Sequence, residues 1–538
     1  MFTFLQLSSL EKIMPIGTCT AAEYNNASVL TGETFSYQIA YSAAERTEMR
    51  VTVESKLQVT LYDVECIPAA LPAYPERNDA HYISTEPGLY PDLLVPKKNG
   101  EIVARPTPRA LWVTVQSTTP GSRHIKLTFT DKDGSKVEKT MEIEVLQAAL
   151  PPQKLLFTQW FHADCIASYY NAEVFSERHW QLIDAYMQMA AEHGMNMILT
   201  PVFTPPLDTE VGGERPAVQL VGIKKQGEAY TFDFELLRRW LALCEKNNIS
   251  HIEIAHLFTQ WGAAFTPKII AEVNGEQKRI FGWDVKADSP EYKCFLDQFL
   301  PALTSFLHTH GMAEKTVFHI SDEPHGEEML TQYKKAKDMV KPYLHGFKIM
   351  DALSDIRFYK SGAVEHPIPA NDAIEPFLQA EINDLWTYYC CGQSVGVSNR
   401  FFAMPSSRNR ILGLQLYKYG ITGFLHWGYN FYYSQHSKRL INPYITTDAD
   451  GAFPSGDAFS VYPGIDGPHP SLRLKVFHEA LQDLRALQYL EQFMEKKEII
   501  SMLEDLAGME LTFSNYPHSA AFILEAREKI NDEIRKRG

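Results

Sequence analysis

Hydrophobic and polar positions alternate along the chain from about residue 30 to residue 148. Such alternation predicts β-strands, because successive side chains of a strand point to opposite faces of its sheet. The predicted strands span residues 34–41, 49–54, 57–62, 124–130 and 137–145. The last two flank Asp131-Lys-Asp-Gly134, a turn sequence that predicts a hairpin. Several short strands at this spacing predict an antiparallel β-sandwich over residues 1–150.

After a proline-containing linker at residues 150–154, short apolar runs alternate with longer amphipathic stretches. The apolar runs predict strands at residues 155–159, 195–200, 251–255, 316–320, 346–350, 384–387, 400–404 and 423–426. The stretches between them predict helices at residues 177–193, 234–247, 290–310, 327–341 and 408–419. Eight strands with intervening helices predict an α/β fold of the (β/α)₈ TIM-barrel type over residues 151–435.

An open, doubly wound α/β sheet is the alternative for this alternation. The chain has no G-x-G-x-x-G segment after a predicted strand and no P-loop, which removes the usual nucleotide chemistry of such sheets. We therefore favour the barrel. Residues 436–538 are predicted to form a mainly helical C-terminal extension packed on it, with helices at 472–490 and 520–537 and Ser471 as the N-cap of the first.

The composition narrows the range of partners. The chain has 538 residues, 45% of them hydrophobic, and a formal net charge of −15. A field of that sign disfavours nucleic acid and anionic membranes as partners. The seven cysteines are scattered without a C-x-x-C pair, so neither a disulfide framework nor a zinc-thiolate site is expected. Neighbouring Cys390 and Cys391 are interpreted as two small packed residues.

The N-terminal segment lacks the basic residues of a secretory signal, and Glu11-Lys12 interrupts its apolar stretch. No membrane-spanning segment is predicted. We expect a soluble, cytoplasmic protein that begins at Met1 or Met14, and a homo-oligomer stays open.

A metal centre is the one cofactor that the residue types suggest. Its ligands would be His162, Asp164, His256 and His319, but no H-E-x-x-H or H-x-H spacing supports such a site. We therefore expect neither a metal nor another cofactor.

The reacting groups of a (β/α)₈ barrel lie at the carboxyl ends of its strands. Here the residues that follow the predicted strands are rich in aromatic, imidazole, amide and carboxyl groups. The candidates for substrate binding are Trp160, His162, His256, Trp386, Tyr388, Trp427, Tyr429 and Asn430. Aromatic platforms with a few carboxylates suit sugars, because C–H faces stack on indole while hydroxyls need polar partners. The expected substrate is therefore a glycan or glycoside.

Each of these candidates also has a purely structural interpretation. Trp160 and Trp427 can be core residues, because buried tryptophans are common in cores. His162 and His256 can satisfy buried hydrogen bonds instead of taking part in chemistry.

Asp322-Glu323-Pro324, directly after the fourth predicted strand, is the sharpest feature. Proline favours extended backbone at the residue before it, so Glu323 is expected to continue the strand direction. An acidic pair at this point can alternatively cap the following helix, where negative charge is favourable. The position after strand four favours catalysis over capping.

Five segments of the barrel region carry a family resemblance. They are Gln159-Trp-Phe-His-Ala-Asp-Cys-Ile166, His319-Ile-Ser-Asp-Glu-Pro324, Asp384-Leu-Trp-Thr-Tyr-Tyr389, Gly423-Phe-Leu-His-Trp-Gly-Tyr-Asn430 and Pro470-Ser-Leu-Arg-Leu474. Together they resemble glycoside hydrolase family 123 and its uncharacterised relatives over residues 151–490. The resemblance implies a retaining exo-glycosidase that removes terminal β-linked N-acetylhexosamine, with N-acetylgalactosamine as the expected sugar, by substrate-assisted catalysis.

The resemblance also implies roles for individual residues. Glu323 would be the general acid/base, and Asp322 would hold and polarise the 2-acetamido group. Trp386, Tyr388 and Trp427 would shape the pocket. Because two neighbouring carboxylates repel each other, one pKa is expected to rise, and the role of Glu323 requires the raised one.

The predicted strand ends also bear on the identity of the nucleophile. An ordinary retaining glycosidase uses a second carboxylate, whereas the predicted seventh strand ends in Ala403-Met-Pro-Ser406 without one. A substrate whose own acetamido group attacks removes that requirement. Two alternatives stay open: a glycosidase of the same fold with two separated carboxylates, such as Glu323 and Asp351, and a non-catalytic carbohydrate-binding protein.

Overall fold

The computed structural model describes residues 2–17, 19, 21–77 and 79–537. Its N-terminal strands are β1 (Phe2–Ser8), β2 (Asn26–Thr31), β3 (Glu33–Ala43), β4 (Thr47–Ser55), β5 (Gln58–Ala69), β6 (Gly88–Pro96), β7 (Glu101–Ala104), β8 (Arg109–Ser117), β9 (Gly121–Asp131) and β10 (Lys136–Ala149). They pair as two five-stranded sheets, in the orders β1-β3-β8-β5-β6 and β2-β10-β9-β4-β7. The pairs are antiparallel except β2 with β10, which is parallel.

The two sheets share one apolar cluster. Ile39 and Val113 enter it from the first sheet, and Val51 and Leu127 from the second. This explains the alternation along the strands, because every second side chain is buried between the sheets while its neighbours face outward. The five strands predicted from the sequence are confirmed, and so is the hairpin, which is formed by β9 and β10.

Strands and helices alternate after Leu150. The elements are β11 (Leu156–Gln159), α1 (Ala163–Tyr170), α2 (Glu177–Glu192), β12 (Met197–Thr200), β13 (Gly222–Gln226), β14 (Ala229–Asp233), α3 (Glu235–Lys246), β15 (His251–Ile254), β16 (Ile269–Val273), β17 (Glu276–Phe281), α4 (Pro290–Thr309), β18 (Thr316–Phe318), α5 (Gly326–Val340), β19 (Lys348–Ala352), α6 (Arg357–Lys360), β20 (His366–Ile368), α7 (Glu375–Gln379), β21 (Trp386–Tyr388), α8 (Ser406–Arg410), α9 (Leu412–Tyr419), β22 (Gly423–His426), β23 (Val461–Pro463), β24 (Pro468–Pro470), α10 (Leu472–Leu490), α11 (Lys496–Ala507) and α12 (Ala520–Arg537).

Eight of these strands pair in parallel as two sheets, in the orders β11-β22-β21 and β12-β15-β18-β19-β20. The end strands of the two sheets also meet. The Asn196 N–H donates to the Phe157 carbonyl at 3.2 Å, and the Tyr388 N–H donates to the Pro369 carbonyl at 3.1 Å. Because all eight run in the same direction, their carboxyl ends gather at one end of this region.

Among the eight parallel strands, one predicted strand is wrong and one strand was missed. Residues 400–404 form a turn, while the strand between β19 and β21 is β20, with Pro367 in its middle. The 400–404 run is apolar because it is buried against the N-terminal region: the Lys12 ammonium donates to the Phe402 carbonyl at 2.9 Å, and the Ile83 N–H donates to the Ala403 carbonyl at 2.7 Å. A short apolar run identifies burial without identifying the partner.

Two long segments extend the carboxyl ends of β12 and β15. They contribute β13, β14, β16 and β17, which pair as a separate sheet in the order β14-β13-β16-β17. These excursions carry loop residues back over the ends of the parallel strands. They are the main departure from a minimal alternation of strand and helix.

The C-terminal helices join the two regions. Helix α10 begins at the predicted cap, where Ser471 accepts from the Leu474 N–H, and it packs on α8 and α9. Buried ion pairs link Asp92 of β6 to Arg473 of α10 at 2.8 Å, and Glu33 of β3 to Arg527 of α12 at 2.7 Å. Among the described residues, no helix combines the length and apolar character that crossing a bilayer requires.

Candidate active site

A cavity of about 150 Å³ opens where the carboxyl ends of the parallel strands gather. Aromatic rings, carboxyl groups and amides alternate around its wall. The lining residues are Trp160, Leu207, Asp208, Gln260, Trp261, Asp322, Glu323, Ala352, Tyr388, Cys390, Cys391, Leu425, Trp427, Gln435, His436 and Phe453. The cavity therefore brings Asp322 and Glu323 together with three of the predicted aromatic residues, Trp160, Tyr388 and Trp427.

The Asp322–Glu323 pair lies in the turn between β18 and α5. Helix α5 begins at Gly326 with His325 as its N-cap and has no side-chain cap hydrogen bond. The capping interpretation of the acidic pair is thus wrong, since neither carboxyl bonds the helix start. Both side chains are half-buried and face the cavity.

Glu323 does not have the extended backbone that was expected before Pro324. Its φ is +44°, in the left-handed region that residues with a β-carbon rarely adopt, and a strained residue of this kind costs about 1–3 kcal/mol. The Glu323 N–H donates to the Ala352 carbonyl at the end of β19, at 3.0 Å, which holds the turn against the neighbouring strand. This interstrand bond overrides the local preference imposed by proline.

Tyr388, at the end of β21, fixes the Glu323 carboxyl. Its hydroxyl donates to Glu323 Oε1 at 2.5 Å. Burial raises the pKa of Tyr388 well above its ordinary value, and the Glu323 charge raises it further. Tyr388 therefore stays protonated at every pH of interest and acts as a permanent donor to Glu323.

The pKa of Asp322 is raised well above its ordinary value. Burial is the main cause, and the Glu323 and Asp351 carboxylates add to it, while His319 opposes the shift. A carboxylate with a raised pKa is a stronger hydrogen-bond acceptor when it is ionised. This suits a group that must stabilise positive charge on an adjacent N–H.

His319 and two buried carboxylates form a network next to Asp322. His319 Nε2 lies 3.0 Å from Glu253 Oε2, and Nδ1 lies 3.5 Å from Asp351 Oδ1. Burial alone lowers the pKa of His319, but the hydrogen bonds and charges of Asp351 and Glu253 outweigh it and raise the pKa to about 10. The imidazole is thus a buried cation held between two acids.

Asp351 is occupied within this network and does not line the cavity. It accepts hydrogen bonds from the Tyr333 hydroxyl and, at 3.0 Å, from the Ile320 N–H, and it is fully buried. Glu253 likewise accepts from the Trp160 indole N–H at 3.1 Å, which fixes the Trp160 ring in the cavity floor. These acids position their neighbours rather than face the cavity.

Trp427, after β22, is fixed by a buried carboxyl. Its indole N–H donates to Asp457 Oδ2 at 2.8 Å, and its ring packs edge-on against Phe453. Burial raises the pKa of Asp457 to about 7, against the lowering effect of Arg400 and Arg473. Trp427 lines the cavity, in keeping with a sugar platform.

Two predicted aromatic residues lie away from the cavity. The Trp386 ring packs so closely over Gly423 that a β-carbon at position 423 would lie 2.0 Å from it. Tyr429 is fully buried and donates its hydroxyl to the Tyr186 carbonyl at 3.0 Å. Both are core residues, in line with the structural interpretation that was open for every candidate.

Three predicted polar residues also lie outside the cavity wall. The Asn430 side chain accepts from the His162 N–H and donates to the His162 carbonyl, tying two strand ends together. The His162 ring meets the Trp427 carbonyl through Nε2 at 3.0 Å. His256 is buried and stacks on His319 with ring centroids 4.7 Å apart. These three residues hold neighbours of the cavity in place and do not line it themselves.

Two side-chain groups have the proximity of metal ligands among the described residues. They are His162 with Asp164 and Cys165, and His256 with His319 and Asp351. In the first, Arg215 donates to both Asp164 oxygens at 2.7 Å, and that guanidinium already supplies the positive charge. In the second, His319 is itself the cation. Neither group needs a metal to balance its charge.

Most of the loop residues of the cavity were not among the residues predicted from the sequence. Asp208 comes from the excursion after β12, Trp261 from the one after β15, and His436 from the segment after β22. All three have positive φ values, +39°, +59° and +59°. Cys390 and Cys391, interpreted as packed residues, line the cavity with free thiols.

Paired carboxyls and fixed aromatic rings at the ends of parallel strands are typical of the active site of a glycoside hydrolase. The chain belongs to glycoside hydrolase family 123, because the family model "Glycoside hydrolase 123, catalytic domain" matches residues 160–490. It is similar to the structure of a family 123 glycoside hydrolase from Clostridium perfringens, with a TM-score of 0.75 and 15% identity, covering 100% of this chain and 99% of that one. That enzyme was described for glycolipid glycan hydrolysis.

A second similar structure is a family 39 glycoside hydrolase from Bacteroides cellulosilyticus, with a TM-score of 0.37 and 10% identity over 82% of this chain and 81% of that one. No curated protein sequence matches the chain.

Proposed function

We propose that this protein is a retaining exo-glycosidase that removes a terminal β-linked N-acetylhexosamine, with the substrate's own 2-acetamido group as the nucleophile. The observation that carries the proposal is that Asp322 and Glu323, adjacent in the chain, line the same cavity while Tyr388 bonds one of them. Two neighbouring acids can act on two neighbouring positions of one sugar: the glycosidic oxygen and the acetamido group.

The first step breaks the glycosidic bond. Protonated Glu323 donates its proton to the glycosidic oxygen, and the bond from that oxygen to the anomeric carbon breaks. The acetamido oxygen forms a new bond to the same carbon and gives an oxazolinium ring. Asp322 accepts the N–H of the acetamido group and stabilises the positive charge that develops on it. Tethering the nucleophile to the reacting carbon lowers the entropic cost of the attack.

The second step restores the sugar. The Glu323 carboxylate takes a proton from water, and the water oxygen bonds to the anomeric carbon on the face that the leaving group vacated. The bond from the acetamido oxygen to that carbon breaks, and its electron pair returns to the acetamido oxygen. This regenerates a neutral amide whose N–H stays hydrogen-bonded to Asp322. Two displacements at one carbon retain the β configuration.

The nucleophile is assigned to the substrate because of where the other acids lie. Asp351, the alternative second carboxylate, is fully buried and bonded to Tyr333 and Ile320. The seventh parallel strand is β21 and not residues 400–404. Tyr389-Cys390-Cys391 follows β21 without a carboxylate. Asp208 is the remaining acid of the cavity wall.

We further propose that the eight parallel strands form a closed (β/α)₈ barrel. Support comes from the hydrogen bonds between the end strands of the two sheets and from an apolar cluster that receives side chains from six of the eight strands, among them Leu199, Met350 and Leu425. Because α10 packs on α8 and α9, we extend the catalytic domain to Leu490 rather than ending it at residue 435. Residues 1–150 form the sandwich domain.

N-acetylgalactosamine is the proposed sugar and a glycan the proposed substrate. The similar enzyme from Clostridium perfringens, described for glycolipid glycan hydrolysis, supports a glycoconjugate substrate. The cytoplasmic location stays a prediction.

A panel of nitrophenyl glycosides tests the proposal. It should contain β-N-acetylgalactosaminide, β-N-acetylglucosaminide and their 2-hydroxy counterparts. We expect hydrolysis of an N-acetylhexosaminide, retention of configuration by NMR, and tight inhibition by the matching thiazoline, which mimics the bicyclic intermediate. Hydrolysis of 2-hydroxy glycosides without thiazoline inhibition would instead indicate two separated carboxylates. Binding without hydrolysis of any glycoside would indicate a carbohydrate-binding protein.

A further inference from the structure

Gln260 has a buried amide nitrogen that nothing in the described part of the chain satisfies. Its Oε1 accepts the Asp208 N–H at 2.6 Å, which fixes the orientation of the amide. Its Nε2 is buried and has no hydrogen-bond partner, although the residue is only 4% exposed and lines the cavity. A buried donor without a partner costs about 1–3 kcal/mol, so it persists where a ligand supplies the missing acceptor.

Asp208 offers the complementary acceptor beside it. Its Oδ2 accepts the His436 N–H at 3.1 Å, and the residue lines the cavity, where its other carboxyl oxygen can accept from a ligand. Burial raises the pKa of Asp208 to about 6, against the opposing effect of its backbone hydrogen bond. The wall thus carries an N–H donor and a carboxyl acceptor side by side.

The path of the chain brings this pair to the Asp322 side of the cavity. The segment after β15 runs along the segment after β18: the Phe258 N–H donates to the Ile320 carbonyl at 3.2 Å, and the Trp261 N–H donates to the Asp322 carbonyl at 2.9 Å. Gln260 is therefore carried next to Asp322. The charge of Asp208 also acts on Asp322.

We propose that Gln260 and Asp208 bind the O3 and O4 hydroxyls of the terminal sugar and determine its configuration, an inference that rests on the proposed function. With Glu323 at the glycosidic oxygen and Asp322 at the acetamido group on C2, the hydroxyls next along the ring on the Asp322 side are O3 and then O4. A sugar hydroxyl accepts a hydrogen bond from the Gln260 side-chain N–H and donates one to the Asp208 carboxylate. Polar groups built for a hydroxyl strongly reject a substrate that lacks it.

Paired changes in protein and substrate test this inference. Gln260→Met keeps the volume and removes the amide, and Asp208→Asn keeps the shape and removes the charge. With the preferred nitrophenyl N-acetylhexosaminide we expect kcat/KM to fall about 10-fold for Gln260→Met and about 30-fold for Asp208→Asn, in line with neutral and charged hydrogen bonds. With the 3-deoxy or the 4-deoxy analogue, at least one variant should match the wild type, because the lost partner is already absent.

Gln298→Met is the matched control. The Gln298 amide on α4 donates to the Glu228 carbonyl in the turn between β13 and β14 and to the Cys294 carbonyl on α4, away from the cavity. This substitution should change the melting temperature and leave kcat/KM unchanged.

Binding of the free monosaccharide, measured by calorimetry, separates this inference from the proposed function because it needs no turnover. Equal losses of kcat/KM on parent and deoxy substrates, with unchanged monosaccharide affinity, would overturn the hydroxyl assignment while loss of activity in Asp322→Asn would still support the proposed function. A covalent glycosyl adduct on Asp208 would overturn both.

Discussion

The Tyr388 hydroxyl donates a hydrogen bond of 2.5 Å to Glu323 Oε1, although the two residues lie 65 positions apart in the chain. The bond joins the turn after β18 to the end of β21, across the cavity. The hydrogen bond fixes the rotamer of Glu323, the residue to which we assign proton transfer. The strained backbone of Glu323 fixes the position from which its side chain starts. A general acid needs this double constraint, because proton transfer depends on the distance to the leaving oxygen.

Removal of that hydroxyl should slow catalysis and leave the fold intact. In Tyr388→Phe we expect kcat to fall about 10-fold with little change in KM, because the ring still fills its place while the Glu323 carboxyl samples other rotamers. Steady-state kinetics check this. Tyr343→Phe, which removes a hydroxyl bonded to Asp297 on the surface, is the matched control and should behave as the wild type. An unchanged kcat in Tyr388→Phe would contradict the positioning role.

The two acids should respond differently to the leaving group. Glu323→Gln removes the proton donor, so we expect a loss of about 10²–10⁴-fold on substrates with poor leaving groups and a much smaller loss on dinitrophenyl glycosides. Asp322→Asn removes the stabiliser of the oxazolinium charge, so turnover should fall about 10²–10³-fold for good and poor leaving groups alike. Rates plotted against leaving-group pKa check both. Identical slopes for the two variants would contradict the division of roles.

Most helices and strands could be predicted from the sequence because the features that determine them lie within each segment. Helix α10 was predicted with the bounds that the structure has, since its N-cap Ser471 and its apolar spacing lie within the segment itself. The misplaced strand at residues 400–404 shows the limit: its residues are buried by Lys12 and Ile83, which lie more than three hundred positions away. Burial was visible in the pattern, but its partner was not.

The residues of the candidate site likewise fall into those that could be predicted from the sequence and those that could not. Asp322 and Glu323 follow a strand directly, so fold class alone placed them at the cavity. Asp208 and His436 reach it through long irregular segments whose path depends on tertiary hydrogen bonds, such as the one between the His436 N–H and the Asp208 carboxyl. The positive φ of Glu323 was likewise unreadable, because the Ala352 carbonyl that imposes it belongs to another strand.

The raised pKa of Asp322 predicts an acid limit to activity. Asp322 must be ionised to stabilise the developing charge, so kcat/KM should fall as pH drops through its pKa, at a higher pH than an ordinary aspartate would give. In Asp322→Asn the residual activity should lose this acidic limb. Profiles of kcat/KM between pH 3 and pH 8, measured on a dinitrophenyl glycoside, check the prediction. An acidic limb at the same pH in wild type and variant would assign it to another group.

Asp457 should make stability depend on pH in a way that surface carboxyls do not. The folded-state pKa of about 7 lies above the value of about 4 of an unfolded chain, so the folded protein binds more protons between these values. Stability therefore falls as pH rises through this window, and the loss is complete above the folded pKa. Asp457→Asn, which keeps an oxygen for the Trp427 indole, removes the ionisation.

The comparison that isolates this effect is the melting temperature of wild type against Asp457→Asn at pH 5 and at pH 8. The wild type should lose about 3 °C relative to the variant over that interval, the size expected when a partly compensated buried charge forms in a large protein. Exposed Asp288→Asn controls for the loss of one negative charge and should run parallel to the wild type. Parallel curves for Asp457→Asn as well would mean that the carboxylate is ionised at no net cost, with Arg400 and Arg473 compensating it fully.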